Sequence, residues 1–290
     1  MSIPQLDSLA VKEDIRASWN AISSGWEAVQ DTFERGAASM TTRLLDLGGV
    51  REGQAVLDVA TGLGEPALTA ADRVGPAGRV VGVDIAAGMV EGARRRARNR
   101  ENVEFLVADL ESIDLPPKTF DVVLSRWGLM FAVDHVAAFR TVARLLVPGG
   151  VLAASVWSEP QRAPMMSTGY AVLAQRLDMP PPPPGLPGPF SMSDPGQLTE
   201  ELTEAGFTEI VVDEFVVPFR LASAQEYAEF NKAVSPPKLR QRLAELDPEQ
   251  EAETWARVGA AVERYRSAGG DLFLPSTALC VRAVAPETSD

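Results

Sequence analysis

The segment that most constrains this chain is Gln54–Leu68, which reads Q-A-V-L-D-V-A-T-G-L-G-E-P-A-L. Ala55–Val59 is a short apolar run with β-branched residues. Arg51-Glu52-Gly53 precede it and two glycines follow, the pattern of a buried parallel strand. Gly62 and Gly64 let the backbone turn tightly with no Cβ in the way. Pro66 stands where the first turn of a helix tolerates proline, and Ala67–Ala71 continues as helix. Strand, glycine turn and helix in succession aim backbone N–H groups at a ligand in the crevice beyond the strand's C-terminal end.

A second strand, Arg79–Val83, ends at Asp84, twenty residues past Gly64. A carboxylate there can accept both hydroxyls of a ribose. Two nucleotide-like cofactors fit this frame. Gly62-x-Gly64-x-x-Ala67 matches the loose dinucleotide pattern, so NAD is one candidate. Asp58 argues for the other, because it lies inside the strand, four positions before Gly62. A buried carboxylate is repelled by a pyrophosphate and stabilised beside a cation. S-Adenosylmethionine carries a sulfonium and an ammonium and no phosphate.

The run V-L-D-V-A-T-G-L-G-E resembles the first motif of the class I S-adenosylmethionine-dependent methyltransferases, especially the quinone-biosynthesis (ubiquinone/menaquinone) C-methyltransferase branch. F-D-V-V-L and the later L-L-V-P-G-G-V-L resemble further motifs of the same family, and the resemblance covers Gln54–Ser158. It implies an α/β fold: a Rossmann-like seven-stranded methyltransferase sheet with a helical N-terminal cap and helical lid insertions. It also implies that Asp58 helps hold the amino-acid end of the cofactor, and that Ala60, Thr61, Gly62 and Gly64 lie against it. Asp84 would bind the ribose, with Ile85 and Met89 beside it. Asp109 would accept from the adenine amino group, flanked by Ala108 and Leu110. Ser125, Arg126 and Trp127 would complete the cofactor contacts at the end of the fourth strand, where the methyl group should emerge.

Composition narrows the function. At 290 residues and 46% apolar content the chain can bury one large core. A net charge of −13 argues against a nucleic-acid surface, which would be basic. Cys280 and His135 are the only residues of their kinds, so no disulfide forms within the chain and a Cys/His zinc site is excluded; no metal is expected. Met1-Ser2-Ile3-Pro4-Gln5 shows no leader pattern and no run reaches membrane-spanning length, so a cytoplasmic protein with no membrane association is expected. Arg94, Arg95, Arg96, Arg98 and Arg100 read as a solvated face that complements the C-terminal end of a helix.

The rest of the chain alternates. Ile15, Trp19, Ile22, Trp26, Val29 and Phe33 recur at helical spacing, with Ser23-Ser24-Gly25 a potential break into two helices and Met40–Leu47 a following one. Gly88–Arg98 reads as a helix, Val103–Val107 and Phe120–Leu124 as the third and fourth strands, and His135–Leu146 as a helix capped by Asp134. Val151–Trp157 is the fifth strand. Beyond it come a helix at Ala163–Met179, a stiff proline run at Pro180–Pro184, a helix opened by Asp194-Pro195, a strand at Phe207–Val217, a helical excursion at Ala222–Ala268 and a last strand at Thr277–Ala283. This divides the chain into an N-terminal cap (1–52), a core (53–158, 194–217, 276–285) and two lid insertions (159–193, 218–275).

The aromatic and methionine residues of the cap and the insertions suggest a small hydrophobic or aromatic methyl acceptor, such as a phenol, polyketide or prenyl-type metabolite. Trp19, Trp26, Met130, Phe131, Trp157, Tyr170, Tyr227 and Phe230 are the candidates to contact it. His135 is the candidate general base, with Glu65, Tyr170 and Tyr227 behind it. Magnesium-assisted chemistry is disfavoured because Arg126-Trp127, not an acid, follows the fourth strand. A methyltransferase fold that binds S-adenosylmethionine without transferring methyl, and an NAD-linked oxidoreductase, are the alternatives. The oligomeric state stays open, a homodimer being one expectation.

Overall fold

The computed structural model describes residues 8–183 and 185–287; the expectations placed on Met1–Gln5 and on Pro184 lie outside the described residues. Seven strands form one sheet: β1 (Ala55–Val59), β2 (Arg79–Asp84), β3 (Val103–Val107), β4 (Phe120–Arg126), β5 (Leu146–Trp157), β6 (Thr208–Leu221) and β7 (Leu272–Val284). Their order is β3-β2-β1-β4-β5-β7-β6. β7 runs antiparallel to both its neighbours and the other adjacent pairs are parallel. β1 lies in the interior of the sheet, between β2 and β4. Its side chains from Val56 to Val59 are buried, which is what an unbroken apolar run bounded by glycine achieves in a parallel sheet covered on both faces.

The order in which strands are added reverses between β1 and β4, since β2 and β3 lie to one side and β4 and β5 to the other. That switch point opens a crevice at the C-terminal ends of the strands. The helices α2 (Ala67–Val74), α3 (Ala87–Arg96) and α4 (His135–Leu145) are the crossovers. Asp134 caps α4 by accepting from the Ala137 N–H, as the sequence led us to expect.

The N-terminal region departs from expectation. The helix α1 runs unbroken from Ser8 to Leu47. Gly25 does not break it. A Cβ there would stand 1.9 Å from the carbonyl oxygen of Ala233, so the glycine serves close packing against the end of another helix, α7 (Ala224–Val234). Gly36 has the same part against Phe219 of β6. The second half of α1 buries Phe33, Ala37, Met40, Leu44 and Leu45 against the sheet, while its first half extends over the crevice.

Strand limits also differ. β5 starts at Leu146 rather than Val151, and Pro148-Gly149-Gly150 carry a register shift within the strand. β6 and β7 pair from Thr208↔Val284 to Leu221↔Leu272. Both are therefore longer than the sequence pattern suggested, and the excursion between them is correspondingly shorter. It holds α7, α8 (Pro237–Leu243) and α9 (Pro248–Ala260). Between β5 and β6 lie α5 (Pro164–Arg176) and α6 (Pro195–Glu204). Among the described residues no helix is long and apolar enough to cross a membrane, and no group of three or more His, Cys, Asp or Glu is placed to hold a metal ion.

Candidate functional site

One cavity of about 750 Å³ occupies the crevice. Its floor is the turn after β1, with Ala60, Thr61 and Gly62, together with Asp84, Ile85 and Met89 after β2 and Ala108, Asp109 and Leu110 after β3. Arg126 and Trp127 from the end of β4 form the next wall. A Cβ on Gly62, whose φ is +55°, would project into open space rather than into protein.

The glycine turn spends its backbone donors internally. Thr61 N–H donates to Val83 O, Gly62 N–H to Asp84 Oδ2, Gly64 N–H to Thr61 O and Ala67 N–H to Asp58 Oδ2. A dinucleotide site needs such N–H groups free for a pyrophosphate. Five carboxylates line the cavity (Glu34, Glu65, Asp84, Asp109 and Glu111) against three cations (Lys12, Arg96 and Arg126). That balance suits a ligand with positive charge and repels a pyrophosphate.

Asp58 is fully buried and does not line the cavity. Its Oδ2 accepts from Thr61 Oγ1 at 2.6 Å and Ala67 N at 3.0 Å, so the side chain holds the turn from beneath. This corrects the expectation that it contacts the ligand. A strand residue whose side chain points under the turn reaches the loop's own donors first. Its Oδ1 is buried without a partner, and burial, partly offset by those hydrogen bonds, raises the pKa to about 7. Asp84 does reach the cavity. Its Oδ1 accepts from Ala86 N and its Oδ2 from Gly62 N, each at 2.9 Å, and burial raises its pKa to about 6 against those bonds.

Gly64 and Ser125 also stand off the cavity. Gly64 packs against Leu68 and Ala93, and Ser125 Oγ is buried, donating to Val59 O at 2.9 Å. Both tie elements together under the floor.

At the β3 end, Lys12 of α1 reaches across the crevice to Asp109 at 3.0 Å and Glu111 at 2.8 Å. Burial disfavours its ammonium, yet the two carboxylates outweigh burial and hold the Lys12 pKa above its ordinary value. Asn20 Oδ1 accepts from Gly88 N at 2.9 Å, so α1 is tied to the start of α3 as well. At the β4 end, Arg126 makes a two-pronged pair with Glu34 of α1 (2.9 and 2.5 Å) and donates to Thr41 Oγ1 at 2.7 Å.

Beyond Arg126 the cavity turns aromatic. Trp19, Trp26, Phe33, Phe131, Trp127, Trp157 and Tyr170 line it with Met130 and Met166. The indoles of Trp127 and Trp157 stack with centroids 4.4 Å apart, and Trp19 meets Phe131 edge-on at 5.1 Å. Trp26 Nε1 and Trp127 Nε1 are buried without a hydrogen-bond partner. The loop from Leu186 to Ser191, with Pro182 and Pro183, closes one side.

Three expected residues are elsewhere. His135 lies outside the cavity, on α4, with Nδ1 3.0 Å from Glu201 of α6; the face of α4 that carries it turns from the crevice, so it serves no base role there. Tyr227 is buried behind the wall, its hydroxyl accepting from Gly169 N and within bonding distance of the Pro164 and Met165 carbonyls. Burial raises its pKa to about 12. Phe230 packs on Trp26 and Phe33 rather than facing the open space. Lys12, Glu34 and Gln30 were missed, because a polar residue beside a helix's apolar stripe gives no signal of the partner that awaits it. Arg96 was placed on a solvated face, yet it lines the cavity.

The fold is of the Rossmann-like methyltransferase class, and residues 56–150 match the family described as a methyltransferase domain. Within that class the chain is 32% identical over 158 residues to the ubiquinone/menaquinone biosynthesis C-methyltransferase UbiE of Hahella chejuensis; the match covers 53% of this chain and 63% of that protein. Among solved structures, a Haemonchus contortus phosphoethanolamine N-methyltransferase 2 in complex with S-adenosyl-L-methionine superposes with a TM-score of 0.57 at 19% identity, covering 90% of this chain and 57% of that one. The [4+2]-cyclase SpnF does so with 0.55 at 22% identity, covering 93% and 97%. At these identities the structural likeness speaks to the fold.

Proposed function

We propose that this chain is an S-adenosylmethionine-dependent methyltransferase acting on a small hydrophobic or aromatic acceptor. The observation that carries the reading is a single cavity in which a crevice of acidic balance runs into an aromatic chamber. The cofactor fits the residues present: Gly62 leaves open space above the turn, Asp84 presents a carboxylate to it, and the turn has few N–H groups left for phosphate. Asp84 would hold the ribose hydroxyls, Asp109 the adenine amino group, and Ile85, Met89 and Leu110 the faces of the ring. NAD is disfavoured on the same grounds.

When bound, S-adenosylmethionine supplies a methyl group on an electrophilic sulfonium. This chain's residues bring an acceptor atom into line with it and keep water out, and such positioning supplies much of the acceleration in a displacement of this kind. Trp127 stacked on Trp157, with Phe131 and Met130, provides the dry wall. The unpartnered indole N–H groups of Trp26 and Trp127 favour an acceptor that carries oxygen atoms. The name of the Hahella relative supports C-methylation of a quinone-like ring as the finer reading. We read the chain as the core 53–158, 194–217 and 276–285, capped by 1–52 and covered by 159–193 and 218–275, in the cytoplasm.

Incubation with S-adenosylmethionine and a panel of quinols, phenols and enolisable ketones tests the reading, and S-adenosylhomocysteine should accumulate with at least one acceptor. One observation favours a second reading. Among the described lining residues there is no histidine or cysteine, and the chamber's carboxylate, Glu34, is held by Arg126. A chamber with no histidine or cysteine, whose carboxylate is already paired, also suits a protein that binds the cofactor and shapes another reaction. Tight cofactor binding with no S-adenosylhomocysteine formed across the panel would select that alternative.

A further inference from the structure

Arg96 stands near the C-terminal end of α3, and its guanidinium comes back to the glycine turn. Nη1 donates to Leu63 O at 2.5 Å, and Nη2 lies 3.4 Å from Glu65 Oε1, a loose pair. The Gln30 amide oxygen, with the amide turned to face the guanidinium, accepts from Nε at 2.9 Å and from Nη2 at 2.8 Å. Arg96, Glu65 and Gln30 all line the cavity, and the Arg96 and Glu65 side chains retain 29% and 15% exposure. Arg94, Arg95 and Arg100 behave differently: they are bound to Phe105 O, Glu27 and Asp72 and do not line the cavity.

We infer that Arg96 and Glu65 read the zwitterionic amino-acid end of the cofactor, the guanidinium taking the α-carboxylate and the carboxylate the α-ammonium. The inference rests on the S-adenosylmethionine reading of the crevice. A carboxylate leaving water for a cavity of acidic balance needs a fixed cation, and of the three cations present Lys12 is held by Asp109 and Glu111, and Arg126 by Glu34. Arg96 has the weakest anionic partner, at 3.4 Å, and its other partners are a neutral amide and a carbonyl. A planar guanidinium can exchange the amide for a two-pronged bond to a carboxylate. Glu65 is held in turn by Thr69, whose Oγ1 donates to it at 2.7 Å, so the acidic half of the pair is fixed in place beside the turn.

The test compares two ligands by calorimetry. S-Adenosylhomocysteine has the amino-acid end, whereas 5′-methylthioadenosine has the same nucleoside and thioether without it. The wild-type protein should bind the first roughly ten- to a hundredfold more tightly, the range expected for hydrogen bonds to charged groups. Arg96→Gln should lose most of that difference and leave 5′-methylthioadenosine within about twofold. Equal losses for both ligands would mean that Arg96 merely supports Leu63 and the turn, and would overturn the proposal; so would an unchanged affinity for S-adenosylhomocysteine. If Arg96→Gln does not fold, Glu65→Gln carries the same comparison and the same expectation. A wild-type protein that binds neither ligand refutes the cofactor reading itself, whereas one that binds both equally refutes this inference alone.

Discussion

Asp84 is the residue whose chemistry is most exposed to measurement. Burial raises its pKa to about 6, and that of Asp58 beneath the turn to about 7, both above the ordinary 3.8. The folded protein therefore holds these protons more readily than the unfolded chain. Their contribution to stability is fully present below about pH 4 and is lost as pH rises through their folded values. Ligand binding runs the other way, because ribose hydroxyls donate to an ionised carboxylate and gain less from a protonated one. Affinity for S-adenosylhomocysteine should rise between pH 5.5 and 7.5. Asp84→Asn should weaken it about tenfold or more at pH 8 and flatten the rise near pH 6, as read by calorimetry across that range. A variant with the wild-type affinity and slope would remove Asp84 from the ribose. Lys12 allows a second measurement. It bridges Asp109 and Glu111 across the crevice, so Lys12→Met should speed both association and dissociation of the nucleoside in stopped-flow fluorescence. Slower entry in that variant would show that the bridge helps to form the site rather than to close it.

The elements show how far pattern reaches. β1 to β4 and the helices between them were legible to within three residues, because unbroken apolar runs and glycine turns report local physics. The Asp84 position was legible for the same reason: strand ends are fixed by the sheet, and the sheet by its hydrophobic runs. α1 was not. Gly25 reads as a helix breaker from propensity alone, and what decides it is a carbonyl more than two hundred residues away. Asp58 and His135 show the same limit, since their types suggest chemistry, but direction is set by the loop above one and the helix beside the other. The close approach at Gly25 predicts a stability effect of opposite sign to helix propensity. Alanine favours a helix over glycine by about 1 kcal/mol in exposed positions. Here its methyl would meet Ala233 O at 1.9 Å, and backbone cannot step aside as a side chain can. Gly25→Ala should cost about 1–3 kcal/mol in urea unfolding, the range for overpacked sites. A stabilised variant would mean that α1 and α7 do not sit together this closely in solution.

At the scale of the molecule, one helix touches every part of the candidate site. α1 reaches Asp109 through Lys12, Gly88 through Asn20, Arg96 through Gln30 and Arg126 through Glu34, and its far half is packed in the sheet's core. A ligand that fills the cavity thus joins the core to α1 and to the excursions that share its wall, and it should stabilise the whole fold rather than a loop. Binding at a hundred times the dissociation constant adds about 2.7 kcal/mol to a protein that binds only when folded. For a chain of this size that corresponds to a rise of roughly 4–5 °C in melting temperature. S-Adenosylhomocysteine should give that rise, and NAD at the same concentration should give none, because most of the turn's N–H groups are spent and the lining balance is acidic. A scan in which NAD shifts the transition as far would mean that the crevice rearranges to admit a pyrophosphate, and the charge argument for a sulfonium ligand would fall with it.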